Sequence, residues 1–389
     1  MAKPDSPEQA GHGDKAHDAV SIVTDLLAQA GRASASDVHF EPTAEGMVVR
    51  YRLDGVLKDV ETLPASLAEG VTTRLKVLGG LLTYRNDIPQ EGRIDLPTGE
   101  GNVVDQRLSV FPTIHGQRAV VRLFYDDEAL SSLDGLGLPA AILTGLKRVA
   151  AGNQGVLLLT GPAGSGKSTT LAALLRYIAD KQAGKSIVAV EDPVERHISG
   201  ITQIQITPHR DMTFPVALRS LLRQDPEVLM LGEIRDAETA RIAIQAGLTG
   251  HLLMSTMHSG NPAGALLRLL EMGIEPYQVT SSISAVVNQR LVRKLCDNCA
   301  RQIAQTSTFE PVGCPKCFGT GFRGRALIAE MVTLDGELRS AILAKTDLEQ
   351  LTEILAARGH MTLRQDGGRL LSAGVTTQEE LDKVCGLAC

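Results

Sequence analysis

Tryptophan is absent from this 389-residue chain, and Phe, Tyr and Trp together make up only 3% of it. A surface built to hold nucleic acid uses stacking aromatics among clustered Lys and Arg. The net charge here is −6, so a nucleic-acid partner is not expected beyond a local basic patch. No apolar run approaches the ~18 residues that a membrane span needs. Met1 to Asp18 is polar and mixed in charge, without the apolar core of a secretory signal. Residues 1–16 read instead as a disordered leader. Cysteine is sparse as well: there are six, four of them in two close pairs. That usage suggests a metal site in a reducing compartment rather than a disulfide framework.

What is present begins with Val156-Leu157-Leu158-Leu159-Thr160, a short buried strand, followed by Gly161-Pro162-Ala163-Gly164-Ser165-Gly166-Lys167-Ser168-Thr169 and an apolar-periodic run to Tyr177. This is G-x-x-x-x-G-K-[ST] between a strand and a helix, the context a phosphate-binding loop requires. The glycines let backbone N–H groups turn inward around an anion, and the helix N-terminus adds its partial positive charge. Lys167 can then reach the β- and γ-phosphates, and the Ser168 hydroxyl can complete a magnesium shell. The rival reading, a glycine-rich turn with an incidental lysine, does not explain all three parts standing in register.

Length predicts two or three domains. His17 to Ala30 has helical spacing, and short alternating segments follow at Val38–Phe40, Met47–Leu53 and Val56–Leu57, with Asp54-Gly55 as a hairpin turn. Ala65 to Leu82 reads as a helix, and Arg93–Leu96, Val103–Val110 and Ala119–Phe124 as strands with turns at Thr98-Gly99 and His115-Gly116. An α+β domain over 17–125 is expected, then a linker over 126–138. From 139 to 389 a helix (Pro139–Ala150) leads into the phosphate-loop strand. Strands at Ser186–Glu191, Val228–Leu231 and Leu252–Thr256 then alternate with helices at Phe214–Arg223, Ala237–Ala246 and Pro262–Glu271. That alternation predicts an α/β fold with a parallel sheet. Four helices close the chain: Leu338–Ala344, Asp347–Arg358, Met361–Ala373 and Thr377–Val384.

Two strands end in acids. Val188–Val190 delivers Glu191-Asp192-Pro193-Val194-Glu195, and Val228–Leu231 delivers Gly232-Glu233. Ligands bind at the C-terminal ends of such strands, and both magnesium and an attacking water need carboxylates. Taken alone, the first set reads more readily as polar loop residues. A third strand carries His251 and His258 at its two ends. His258 is the candidate phosphate sensor and His251 the structural residue. Cys296-x-x-Cys299 and Cys314-x-x-Cys317 stand fourteen residues apart, a spacing that suits a structural tetrahedral zinc site, with redox C-x-x-C as the rival.

These motifs together resemble the traffic ATPases of type II secretion and type IV pilus assembly, from about Ala35 to Val332. The resemblance rests on Ala35–Pro42, Arg52–Val56, Pro89–Ile94, the phosphate loop, Val190–Glu195, Leu222–Pro226, Gly232–Asp236, Gly250-His251, Thr256–His258, Gln289–Leu291 and the four cysteines, all in the family's order. It implies a RecA-like, hexameric motor whose PAS-like N-terminal domain precedes the ATPase domain. Bound ATP, Mg²⁺ and Zn²⁺ are implied with it, as are a cytoplasmic place at the inner membrane and a platform protein as partner. Glu191 and Glu233 would serve magnesium and water, and Arg93, Arg107, Arg219 and Arg223 would meet phosphate. Three departures stand out: Thr256-Met257-His258-Ser259-Gly260 for Thr-Leu-His-Thr-Asn, Gly324-Arg325-Ala326-Leu327 for Gly-Arg-Thr-Gly, and closer cysteine pairs. Many members carry a further N-terminal docking domain. Thirty-four residues precede Ala35 here, so another docking partner is expected. A retraction or DNA-uptake ATPase and a non-hydrolysing regulator are the alternatives. The cysteines count against retraction, and the retained acids Glu191, Glu195 and Glu233 against the regulator.

Overall fold

A computed structural model describes residues 12–94, 103–125, 128–207, 211–303 and 309–386. The chain forms two compact units, Met1–Asp127 with Cys296–Arg301 and Pro311–Gly324, and Glu128–Leu295 with Gln302–Glu310 and Arg325–Cys389. The cysteine segment therefore groups with the first unit, although it follows most of the second in sequence.

The first unit contains α1 (His12–Arg32), β1 (Asp37–Pro42), β2 (Gly46–Leu53), β3 (Val56–Pro64), α2 (Ala65–Leu78), β4 (Gln90–Arg93), β5 (Val103–Thr113) and β6 (Gly116–Tyr125). The strands form one sheet in the order β3-β2-β1-β6-β5-β4, with antiparallel neighbours throughout. Alternation sets its two faces. Along β2, Met47, Val49, Tyr51 and Leu53 are buried while Arg50 and Arg52 are not, as a period of two requires when one face packs and one is solvated. Val23 and Leu27 of α1 and Val71 and Leu75 of α2 join the inward residues in one core. The helix foreseen from His17 begins five residues earlier, and the one foreseen to Leu82 stops at Leu78, where Gly79 and Gly80 end it. The turn foreseen at Thr98-Gly99 and the end of the Arg93–Leu96 strand lie outside the described residues.

The second unit opens on two short 3₁₀ turns, Glu128–Ser131 and Asp134–Leu136, within the stretch foreseen as linker. It continues with α3 (Ala140–Ala150), β7 (Gly155–Thr160), α4 (Lys167–Lys181), β8 (Ile187–Glu191), β9 (Thr202–Gln205), α5 (Phe214–Leu221), β10 (Val228–Leu231), α6 (Ala237–Leu248), β11 (Leu252–Met257), α7 (Pro262–Glu271), α8 (Pro276–Ser282) and β12 (Ile283–Leu295). Strand Phe322–Val332 and helices α9 (Gly336–Leu343), α10 (Leu348–Ala357), α11 (Leu363–Ser372) and α12 (Gln378–Cys385) complete the described chain. The sheet runs Phe322–Val332, β12, β7, β11, β10, β8, β9, and every pairing from β12 to β9 is parallel. Val156 and Leu158 of β7 enter one core and Leu157 and Leu159 another. Both faces of this strand are therefore packed, which is why it spells a continuous apolar run. Strands β9 and β12 were not foreseen: polar residues such as Gln203, Asn288 and Gln289 interrupt their apolar pattern.

Candidate functional site

Strand β7 delivers the glycine loop to the N-terminus of α4, and burial beneath the loop fixes its shape. Gly161 has φ +143°. A β-carbon there would come within 2.5 Å of the Gln289 carbonyl oxygen and 2.6 Å of Ser165 Oγ. Only glycine fits so close a backbone approach. Gln289, fully buried on β12, donates Nε2 to the Ser165 carbonyl at 2.8 Å. Lys167 curls back over the loop and donates Nζ to the carbonyls of Gly161 (2.8 Å) and Pro162 (2.9 Å). Burial draws its pKa below the ordinary lysine value; Glu233 opposes this and Arg290 adds to it. Pro162, Ala163 and Gly164 form the exposed crest of the loop, while Gly166, Ser168 and Thr169 carry it into α4.

The acids arrive from neighbouring strands. Ser168, Thr169, Glu191 and Glu195 line one small cavity beside α4. The hydroxyl foreseen as a magnesium ligand and two of the foreseen carboxylates thus share a wall. Glu191 accepts from Gln203 Nε2 at 2.9 Å, and Gln203 in turn accepts from the Ile198 amide at 2.7 Å. Strand β9, which supplies Gln203, is the support that sequence patterning did not reveal. Burial pushes the Glu191 pKa up, the Gln203 hydrogen bond pulls it back, and the Glu195 charge raises it further.

Glu233 stands at the tip of β10 between Arg235 and His258. It accepts from Arg235 Nη2, and its other oxygen lies 3.6 Å from His258 Nε2. Asp236 then caps α6 by accepting from the Thr239 amide at 2.8 Å, a contact of ~1 kcal/mol. The two strand ends are tied together by Thr256 Oγ1 donating to the Gly232 carbonyl at 2.7 Å and the Ile234 amide donating to the Thr256 carbonyl at 2.9 Å. This is why Glu233 and His258, twenty-five residues apart in sequence, meet. His251, at the other end of β11, faces the Ala246 carbonyl at 3.2 Å through Nδ1.

The four arginines are placed differently. Arg219 pairs with Glu238 at 2.5 Å, and Arg223 donates to the Arg219 carbonyl at 3.1 Å. Both side chains are exposed, and among the described residues neither bonds to the glycine loop. In the first unit, Arg93 and Arg107 stand directly opposite each other on β4 and β5. Asp105 holds both, at 2.7 and 3.4 Å, and the Arg107 guanidinium lies over the Phe124 ring. Like charges in cross-strand register repel, and the Asp105 carboxylate between them supplies the compensating negative charge.

The four cysteine sulfurs lie within 4.8 Å of one another, with Sγ–Sγ separations of 3.9 Å (Cys296–Cys314), 3.8 Å (Cys299–Cys317) and 3.8 Å (Cys314–Cys317). Four sulfurs ~2.3 Å from a central zinc would be about 3.8 Å apart, so the donor set fits that ion. Amides of Cys314 and Gly321 donate to Cys317 Sγ, which favours thiolate over thiol.

Comparison with known proteins shows the family and the fold. A family model described as Type II/IV secretion system protein matches residues 13–383. The type II secretion system protein HxcR of Pseudomonas aeruginosa is 43% identical over 366 residues, which are 94% of this chain and 77% of HxcR. The type IV pilus assembly ATPase PilB of Thermus thermophilus is 38% identical over 380 residues, which are 93% of this chain but 42% of PilB. Among solved structures, the pilus retraction motor PilT with bound ADP superposes with a TM-score of 0.64 at 24% identity, covering 92% of this chain and 96% of PilT. At that identity the likeness speaks for the fold alone.

Proposed function

The chain belongs to the Type II/IV secretion system protein family, and from that premise we propose that it is the ATP-driven motor of a type II secretion or type IV pilus assembly system. It is an ATPase. The observation that carries this reading is the convergence of Lys167, Ser168, Glu191 and Glu233 on one end of a parallel sheet. In the proposed roles, loop amides 161–166 and Lys167 bind the phosphates, and Ser168 with Glu191 and Glu195 holds Mg²⁺. Bound there, the ion would neutralise phosphate charge and so ease transfer to water. Glu233 orients the attacking water, and its contact with His258 lets that histidine register the γ-phosphate.

Arg93 and Arg107, and with lesser support Arg219 and Arg223, are proposed to meet phosphate during turnover. Asp105 would hold the first pair in readiness. Cys296, Cys299, Cys314 and Cys317 would hold a structural zinc, whose four thiolates leave no open position for catalysis. A RecA-like second unit, a PAS-like first unit, a homo-hexameric assembly and a platform protein at the cytoplasmic side of the inner membrane complete the proposal. Among the described residues no helix is long and apolar enough to cross a membrane.

The deciding experiment measures phosphate release and mass together. Purified protein with ATP and Mg²⁺ should hydrolyse ATP and, by light scattering, reach about six times the chain mass in the presence of nucleotide. A monomer with full activity would remove the hexamer. Restored secretion or piliation in a strain lacking its own motor would separate the two biological settings.

A further inference from the structure

The floor of the glycine loop is made by Gln289 and Arg290 of β12, and Arg290 reaches in two directions at once. A β-carbon on Gly161 would lie 3.1 Å from Arg290 Nη1, so the guanidinium is packed against the first glycine of the loop. Its Nη2 donates to the Gly260 carbonyl at 3.0 Å, and its Nη1 donates to Asn288 Oδ1 at 2.7 Å and to the Gln289 carbonyl at 3.0 Å. The Gly260 carbonyl is claimed a second time by Asn288 Nδ2, also at 3.0 Å. Asn288 is fully buried, and its amide is steered by a further bond to Glu330 Oε1 at 2.7 Å. Gly260 lies two residues beyond His258, the partner of Glu233.

We propose that Arg290 is a positioning residue that keeps the His258 loop in register with the phosphate loop, so that it governs turnover rather than nucleotide affinity. Three features support this. The guanidinium is half-buried, and burying a charge so close to a phosphate site is costly unless several carbonyls receive it. Its positive charge reaches Lys167, whose pKa it helps to lower. Finally, the planar fork bonds the Gly260 carbonyl through Nη2 and two groups of β12 through Nη1 at once while packing against Gly161; a lysine ammonium keeps the charge but not the geometry. Displacement of a reacting group by ~1 Å is enough to cost ~10²-fold in rate.

The inference rests on the ATPase reading, and its test separates the two. Arg290→Ala and Arg290→Lys should each lower kcat by about 10–100-fold, with KM for ATP within about threefold of wild type and an unchanged melting temperature. Asn288→Ala, which removes one of two donors to Gly260 and one acceptor of the guanidinium but keeps the bond from Arg290 Nη2 to Gly260, should lower kcat less and in the same direction. Hydrogen exchange at the amides of 259–261 should quicken in Arg290→Ala while that of strand β7 stays protected, and this readout needs no hydrolysis at all. Full turnover in Arg290→Lys would show that charge alone matters and overturn the proposal. So would wild-type exchange at 259–261, or a loss of kcat matched by a rise in KM and a fall in melting temperature. A wild-type protein that fails to hydrolyse ATP would sink the ATPase reading instead, leaving the exchange measurement to decide the role of Arg290.

Discussion

The glycine loop and the cysteine element are both tight backbone turns, but they are held by different forces. The loop is closed by protein groups already in place: the Gln289 amide on the Ser165 carbonyl, the Lys167 ammonium on the Gly161 and Pro162 carbonyls, and a glycine pressed onto the backbone of β12. The cysteine element brings four sulfurs within 4.8 Å, where four thiolates would repel one another unless a cation lay among them. A β-carbon at Gly321 would strike the Pro311 side chain at 2.4 Å, so this turn too is close-fitting. Yet with the proposed zinc, its closure would depend on the ion. The contrast separates chemistry from structure. Damage to the loop should abolish turnover and leave the fold intact, whereas damage to the cysteines should loosen the first unit and leave the loop intact.

The strongest test of the chemical half is Glu233→Gln. It keeps the shape of the Arg235 and His258 contacts while removing the charge proposed to orient water. Turnover should fall by ~10²-fold or more with ATP binding, read by a fluorescent analogue, little changed. Lys167→Ala should instead lose binding and hydrolysis together, because a charge-assisted contact to phosphate disappears. If the two variants behaved alike, Lys167 and Glu233 would not act at separate steps.

Arg93 and Arg107 come next. Either one replaced by alanine should reduce turnover about tenfold or more, below the ~10³–10⁵ of single arginine fingers because two residues share the task. Repulsion between the pair makes a second signature available. Arg107→Ala should leave the first unit as stable as wild type by thermal melting, since it relieves a cross-strand clash while losing its contact with Asp105. Unchanged kinetics in both variants would reduce the pair to surface residues of the sheet.

The structural half is broken through the sulfurs. The Phe318 ring meets Tyr51 edge-on with centroids 6.2 Å apart, and the Gly324 amide donates to Asp54 Oδ2 at 2.8 Å. The cysteine segment therefore braces the hairpin of β2 and β3. Chelation or Cys314→Ser should release about one zinc per chain and raise hydrogen exchange around Tyr51–Val56, with phosphate-loop exchange unmoved. Zinc-free protein that showed the same protection would make the cluster a bystander.

How far sequence led is clear from the same two turns. The glycine loop was legible in full because its chemistry is local: strand, turn and helix are contiguous, and each glycine answers a backbone demand. The acids were legible as strand tips, but their supports were not. Gln203, which holds Glu191, comes from a four-residue strand with no apolar alternation, and Asn288 and Gln289 are polar residues buried within β12, with the half-buried Arg290 beside them. The clustering of the four cysteines was legible from their spacing alone. That Phe318 and Gly324 lie against the first unit's hairpin depends on contacts more than 260 residues apart, which no local pattern encodes.

The smallest expected effect concerns Glu191, where chemistry and stability pull in opposite directions. Burial and the Glu195 charge raise its pKa above the ordinary carboxylate value, against the pull of Gln203. The native state thus holds its proton more tightly than the unfolded chain does. Stability from this group is present at acid pH and is lost as pH rises through the native pKa. Glu191→Gln keeps an oxygen to accept from Gln203 and removes the charge. It should therefore match wild type in melting temperature near pH 4 and exceed it by about 1–2 °C at pH 7.5, the scale of a partly solvated charge in a unit of this size. Turnover at pH 7.5 should fall nonetheless, because the ionised carboxylate is what the proposed magnesium site uses. A melting difference that stayed constant across this pH range would mean that Glu191 is not strained by burial. Retained turnover in Glu191→Gln would move the metal ligand to Glu195.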